Sequence, residues 1–140
     1  TLSQQVPLTG AVVVTTPQDI ALIDAKKGLR MFQKVNVPIL GIIENMSVFI
    51  CPHCGEVEHI FGEGGAKRMS EQYGVPLLGE LPLSAKIREQ ADSGLPTVAA
   101  EPDGKEALMY REMAMKVAGA LARITKDYTA KMPGIRVVND

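Results

Sequence analysis

Two apolar runs in the first third of the chain have the pattern of strands that are buried on both faces. Residues 10–16 (Gly-Ala-Val-Val-Val-Thr-Thr) are mostly β-branched, and residues 38–44 (Pro-Ile-Leu-Gly-Ile-Ile-Glu) form a second such run. Runs without alternating polar positions are typical of parallel strands covered by helices on both sides. A third run, residues 75–81, predicts one more strand.

The segment after the first strand has helical periodicity. Thr16 offers an N-cap oxygen, Pro17 suits the first helical position, and Asp19 favours the positive end of a helix. We expect this helix to run to about Lys34. Its apolar stripe consists of Leu22, Ala25, Leu29 and Phe32.

Three more helices are predicted further along the chain. They cover residues 66–73, residues 84–92 with Ser84 as the cap, and residues 104–125. The apolar face of the last helix consists of Tyr110, Met113, Ala114, Val117, Leu121 and Ile124. Strands that alternate with helices predict an α/β fold with a parallel sheet.

Two segments are predicted to contain neither helices nor strands. Residues 45–65 are expected to form a long loop, and residues 127–140, with Pro133 and Gly134, a loose tail after a domain that ends near residue 126. The chain opens at Thr1 without a methionine, and we interpret this as a start in the middle of a domain.

Composition excludes several classes of function. The formal net charge is −1 and aromatic residues make up 4%, so neither a basic surface nor a stacking platform for nucleic acid is indicated. No apolar run is long enough to span a bilayer, so no membrane partner is expected. The two cysteines lie too close together to form a disulfide framework, which favours a reducing, cytoplasmic setting.

The two cysteines are the most informative residues. Cys51 and Cys54 lie in the sequence Cys-Pro-His-Cys-Gly, a spacing that lets both thiolates bind one metal ion or cluster. A tetrathiolate site needs two more ligands. A second copy of the chain can supply them across a two-fold axis, for zinc or for a [4Fe–4S] cluster. Within one chain, His59 is the sensible third ligand, because the ring of His53 should point away.

Two other interpretations of the cysteines carry less weight. A thiol–disulfide active site needs a low thiol pKa at a helix N-terminus, whereas Gly55, Glu56 and Glu58 follow the pair here and the carboxylates should raise that pKa. Two merely structural, buried cysteines are the remaining alternative.

Asn45 closes the second strand at its C-terminal end, where open α/β sheets bind ligands. Its amide can donate and accept hydrogen bonds, which suits a purine edge, although a simple Asn turn has the same sequence. The glycines of residues 61–67 lack the Gly-x-x-x-x-Gly-Lys-Ser/Thr pattern of a phosphate loop, so a turn into the next helix is expected there. No Ser-His-Asp arrangement and no catalytic residue is predicted.

Several segments, taken in order, resemble the Mrp/ApbC family of deviant P-loop ATPases, which are related to MinD and carry iron–sulfur clusters. The matching segments are residues 13–28, 41–47 (Gly-Ile-Ile-Glu-Asn-Met-Ser), 51–55, 60–65 and 81–89. The resemblance implies the C-terminal half of a P-loop NTPase domain over residues 1–126, with helices on both faces of the sheet.

The resemblance also implies a function. Family members form homodimers that hold a [4Fe–4S] cluster between subunits and deliver it to apo-proteins, and Cys51 and Cys54 match the bridging ligands. Asn45 matches the residue that contacts adenine, and Leu81 and Pro82 match the backbone beside the base. A zinc-stabilised dimerisation module without catalysis is the alternative.

The family's phosphate loop, its lysines and its magnesium ligands have no counterpart in these 140 residues, and we expect them upstream of Thr1. The chain alone is therefore expected not to hydrolyse ATP, while a full-length parent with ATP and Mg²⁺ should do so slowly.

Overall fold

The computed structural model describes residue 6 and residues 8–124. The predicted tail, residues 127–140, and the last residue of the predicted final helix lie outside the described residues. In chain order the elements are β1 (Ala11–Thr15), α1 (Asp19–Lys34), β2 (Ile39–Glu44), β3 (Phe49–Ile50), β4 (Val57–Glu58), α2 (Gly65–Tyr73), β5 (Leu77–Glu80), α3 (Ala85–Asp92), α4 (Thr97–Ala100) and α5 (Lys105–Ala122).

The three predicted strands form one parallel sheet in the order β1-β2-β5. β2 is central, with Val13 opposite Ile42 on one side and Ile42 opposite Leu77 on the other. Ile42 has no exposed surface, as its fully apolar neighbours predict. The predicted α/β fold with a parallel sheet is confirmed.

Helices cover both faces of this sheet. α1 and α2 pack on one face, where the core consists of Val13, Leu22, Leu29, Ile42, Ala66 and Met69. α5 packs on the other face and lies so close to β5 that a Cβ on Gly79 would be 2.5 Å from Met113. Val14 of β1 points to this second face and is 60% exposed, so α5 leaves part of the face uncovered. For the same reason Ala114 and Leu121 of the predicted apolar stripe are exposed.

The start of α1 differs from the prediction. The helix begins at Asp19, and the N-cap is Gln18 rather than Thr16. The Thr16 hydroxyl bonds the side-chain oxygen of Gln18 instead of a backbone N–H, so it does not act as a cap. Asp19 lies in the first turn and Lys34 ends the helix, as expected. Ser84 does cap α3, accepting the Ile87 N–H at 3.4 Å.

The predicted loop over residues 45–65 contains a β-hairpin. β3 and β4 are antiparallel, with Phe49 opposite Glu58 and Ile50 opposite Val57. The segment that follows the hairpin forms the predicted turn into α2. The helix α4, which is a single turn, was not predicted from the sequence. Among the described residues, no helix is long and apolar enough to cross a membrane.

Candidate functional site: a cysteine hairpin beside the sheet edge

The two cysteines lie at the tip of the β3–β4 hairpin. The Cys51 N–H donates to Glu56 O at 2.9 Å, which extends the ladder by one step, and the Gly55 N–H donates to Cys51 O at 2.9 Å, which closes the turn. Gly55 has a φ of +77°, which favours glycine. Cys51 is partly buried and Cys54 is exposed. The turn therefore presents two thiols at a protruding end.

The backbone of the turn also acts on the Cys51 sulfur. The N–H groups of Cys54 and then of His53 lower the pKa of Cys51, and the Cys54 thiol lowers it further, whereas burial and Glu58 raise it. Glu58 raises the pKa, as expected from the sequence, but the two backbone N–H groups outweigh it and the net direction is downward. N–H groups directed at a sulfur favour the thiolate, which is the form that binds metal.

The structure separates the histidines from a shared metal site. In the part of the chain that the structure describes, no three Cys, His, Asp or Glu side chains lie close enough to hold a metal ion. His59, proposed as a third ligand, lies instead at the base of the hairpin, with Nδ1 3.3 Å from Ser47 O and Nε2 4.0 Å from Glu63. The mononuclear site with His59 is therefore wrong, because the backbone at Ser47 holds the ring away from the tip.

The base of the hairpin is attached to the end of β5. The N–H and the hydroxyl of Ser47 both donate to Leu81 O, at 2.9 and 3.1 Å, and Ser47 is buried. Leu83 N–H donates to Val48 O at 2.7 Å. This region follows the C-terminal ends of two parallel strands, which is where such sheets bind ligands.

Asn45 and Leu81 line one cavity of about 330 Å³ at this edge. The rest of its lining comes from Val14, Ile43, Tyr110, Met113, Ala114 and Val117. The Asn45 carbonyl oxygen accepts the Met46 N–H at 3.0 Å, so the side-chain nitrogen is the group left to donate to a ligand. The volume is within the range of small-molecule sites, and the apolar walls suit the faces of a base.

Pro82 lies on the other side of the same segment. It lines a separate cavity of about 300 Å³ together with Phe49, Ile50 and Pro52 of the hairpin. Leu81 therefore lines a cavity on the side of α5, and Pro82 lines a different cavity on the side of the cysteine tip. The family resemblance implied that the backbone around both residues lines one base pocket, and this role stays a prediction.

Glu44 is a further residue of this site, and it was not predicted from the sequence. This carboxylate is only 1% exposed, at the end of β2, and its Oε2 accepts the Ala66 N–H at 2.6 Å. Carboxylates are seldom fully buried without a partner. The signal was present in the sequence, since a strand predicted to be buried on both faces ends in a charged residue.

The fold and the cysteine hairpin together define a parallel α/β domain that carries a pair of thiols beside the C-terminal edge of its sheet. The chain belongs to the ParA family described as NUBPL iron-transfer P-loop NTPase, whose model matches residues 1–118. The resemblance found in the sequence is thereby confirmed.

Individual proteins agree with this assignment. The iron-sulfur cluster carrier protein of Escherichia coli K12 is 58% identical over 121 residues, which are 86% of this chain and 33% of the relative. A nucleotide-binding protein of Archaeoglobus fulgidus, solved in complex with ADP, is 31% identical with a TM-score of 0.57, over 73% of this chain and 40% of that one. The cell division ATPase MinD of Pyrococcus furiosus is 26% identical with a TM-score of 0.62, over 79% and 43%. The chain thus spans less than half the length of these proteins.

Proposed function

We propose that this chain is the cluster-holding part of an iron–sulfur cluster carrier, in which two copies bind one [4Fe–4S] cluster as cargo and deliver it to apo-proteins. The observation that carries the proposal is the pair of thiols at an exposed hairpin tip, with no third ligand among the described residues. Two such tips related by a two-fold axis supply four thiolates. The cluster-carrier function named for the E. coli relative supports the choice of cargo.

The exposure of the tip favours transfer over storage. Cys54 is exposed, and a recipient's thiolate can reach a cluster held there without opening the core. The lowered pKa of Cys51 favours the thiolate, which is the form that binds iron. A cytoplasmic location, where thiols stay reduced, belongs to the same proposal.

Iron, zinc and acid-labile sulfide, measured per chain after anaerobic reconstitution, test the proposal. We expect about two irons and two sulfides per chain, and none in Cys51→Ser, because two chains would share four of each. His53→Ala is the matched control at the same tip, and it should keep the wild-type content. About half a zinc per chain without sulfide would overturn cluster carriage and indicate a structural zinc dimer.

We also propose that the cavity at Asn45 binds the base of an adenine nucleotide. Asn45 would donate to the base, and Leu81 with Tyr110 would enclose it; Pro82 would act from the hairpin side by fixing the turn after Leu81. The ADP bound to the A. fulgidus protein supports the nucleotide class. Since the 140 residues contain no Walker A sequence, Mg²⁺ binding and slow ATP hydrolysis are proposed only for a longer protein that supplies one.

Binding of a fluorescent ADP to the chain tests this second part. Because the chain has no Walker A sequence, only the base and the ribose should be bound, and the affinity for ADP should be weak. This affinity should fall at least about tenfold in Asn45→Ala, since a hydrogen bond of about 1.4 kcal/mol would be lost. Asn36→Ala, at an exposed turn after α1, is the matched control. Equal binding by both variants would place the nucleotide elsewhere.

A further inference from the structure

The buried carboxylate of Glu44 closes the base of the cysteine loop. Its Oε2 accepts the Ala66 N–H at 2.6 Å, across a separation of 22 positions in the chain. The segment between these two residues contains both cysteines and the whole β3–β4 hairpin. Both ends of the contact are buried, since Glu44 is 1% exposed and Ala66 is fully covered.

The contact replaces a cap that helix α2 lacks. Its N-cap residue is Gly64, which has no side chain, and no acidic residue lies in the first turn. Helix N-termini present unpaired N–H groups and a partial positive charge. Glu44 supplies both the acceptor and the negative charge from the end of strand β2. A charge-assisted hydrogen bond of this length is among the stronger kinds.

The start of α2 cannot move away easily from this acceptor. Gly65 packs so tightly that a Cβ there would be 2.7 Å from Leu22 and 3.0 Å from the Pro17 carbonyl oxygen. The strand end is fixed as well, because Leu81 N–H donates to Glu44 O and Asn45 N–H donates to Thr15 O. Glu44 therefore joins two elements that are each anchored in the core.

We propose that Glu44 is a positioning residue that sets the geometry of the cysteine tip, by holding the returning end of the loop to the strand edge that carries Asn45. This inference rests on the proposed function only where its test uses a bound cluster. The Ser47 contacts hold the outgoing end of the loop, and the Glu44 contact holds the returning end. The hairpin between them then has one orientation relative to the sheet.

Amide hydrogen exchange in the metal-free chain tests the clamp without any cluster. In Glu44→Ala, we expect the amides of Ala66, Cys51 and Gly55 to exchange at least about tenfold faster, because local opening becomes easier. The core amide of Ile42, which donates to Pro76 O, should keep its rate. An equal acceleration at all four amides would reduce Glu44 to a general stabilising residue and overturn the proposal.

A graded series separates positioning from charge. Glu44→Gln keeps an acceptor oxygen for the Ala66 N–H and should recover part of the protection, whereas Glu44→Ala should not. Glu80→Gln is the matched control, since Glu80 is exposed and lies opposite Glu44 in the strand register. No recovery in Glu44→Gln relative to Glu44→Ala would contradict the capping contact.

The reconstituted chain supplies the second arm. We expect loss of cluster to a chelator to be about tenfold faster in Glu44→Ala than in wild type. Removing a contact that supports a metal ligand typically weakens metal binding about 10- to 100-fold, and this expectation is at the lower end of that range. Unchanged cluster lifetime, with exchange at the tip accelerated, would overturn the role in positioning the site. If wild type binds no cluster, the proposed function fails, and unchanged exchange at Cys51 and Gly55 would still refute the positioning role.

Discussion

The end of strand β2 and the tip of the cysteine hairpin are separated by only residues 45–50, but their surroundings are opposite. Ile42 and Glu44 at the strand end are less than 2% exposed, and their strand is paired with β1 on one side and with β5 on the other. Ile50 and Val57 below the tip are 51% and 55% exposed, and Cys54 is open to solvent. The comparison shows that an exposed pair of thiols can lie a few residues from buried contacts, which the loop makes at its base through Ser47 and Glu44.

Two isoleucines give the largest expected contrast between these regions. Ile42→Ala should lower the free energy of unfolding by about 3 kcal/mol, because it leaves a cavity in the core. Ile50→Ala should change it by less than about 0.5 kcal/mol, because the side chain is half exposed. Urea unfolding followed by circular dichroism measures both. Similar losses at the two positions would mean that the hairpin is as tightly packed as the sheet.

Two glycines sharpen the comparison at an intermediate size. Gly65→Ala should cost about 2 kcal/mol, because the new methyl would press against Leu22 and the Pro17 backbone. Gly55→Ala meets no atom within 4 Å and should cost about 1 kcal/mol, from its positive φ alone. Thermal unfolding of both variants tests this order, and a larger loss at Gly55 would contradict it.

The smallest expected effect concerns the pH dependence of Cys51. Its pKa is lowered in the folded chain, mainly by the Cys54 N–H, so alkylation of Cys51 should reach half its maximal rate at a lower pH than in the urea-unfolded chain. Any stability gained from this thiolate is present above the unfolded pKa and is lost as the pH falls through the folded value. Peptide mapping after iodoacetamide treatment measures the profile. Identical profiles for folded and unfolded chains would show that the turn does not act on the sulfur.

The parts of the fold that the sequence predicted are those with strong local signals. The β-branched runs of β1 and β2 and the stripe of α1 each extend over several residues, so their periodicity is readable. β3 and β4 have two residues each and α4 is one turn, too short for any period to appear. The helix start was misplaced because the Thr16 hydroxyl found a side-chain partner, which periodicity does not encode.

The candidate site divides in the same way. The cysteine spacing is a local signal, and Cys51 and Cys54 do lie together at one turn. Asn45 and Leu81 share a cavity, and their role, like that of Pro82, stays a prediction. The partner of Glu44 was unpredictable because the contact links positions that only the folded chain brings together.

Strand β1 has a consequence for measurements of assembly. Among the described strands it pairs only with β2, so its other side offers unpaired backbone groups beside the exposed Val14. Such a border can template pairing with another chain, independently of any thiol. A sedimentation or light-scattering mass of two chains is therefore ambiguous by itself. Association that requires bound iron in the wild-type chain and is absent in Cys51→Ser would report the contact between hairpins. Association that persists in Cys51→Ser would report edge-to-edge pairing of strands.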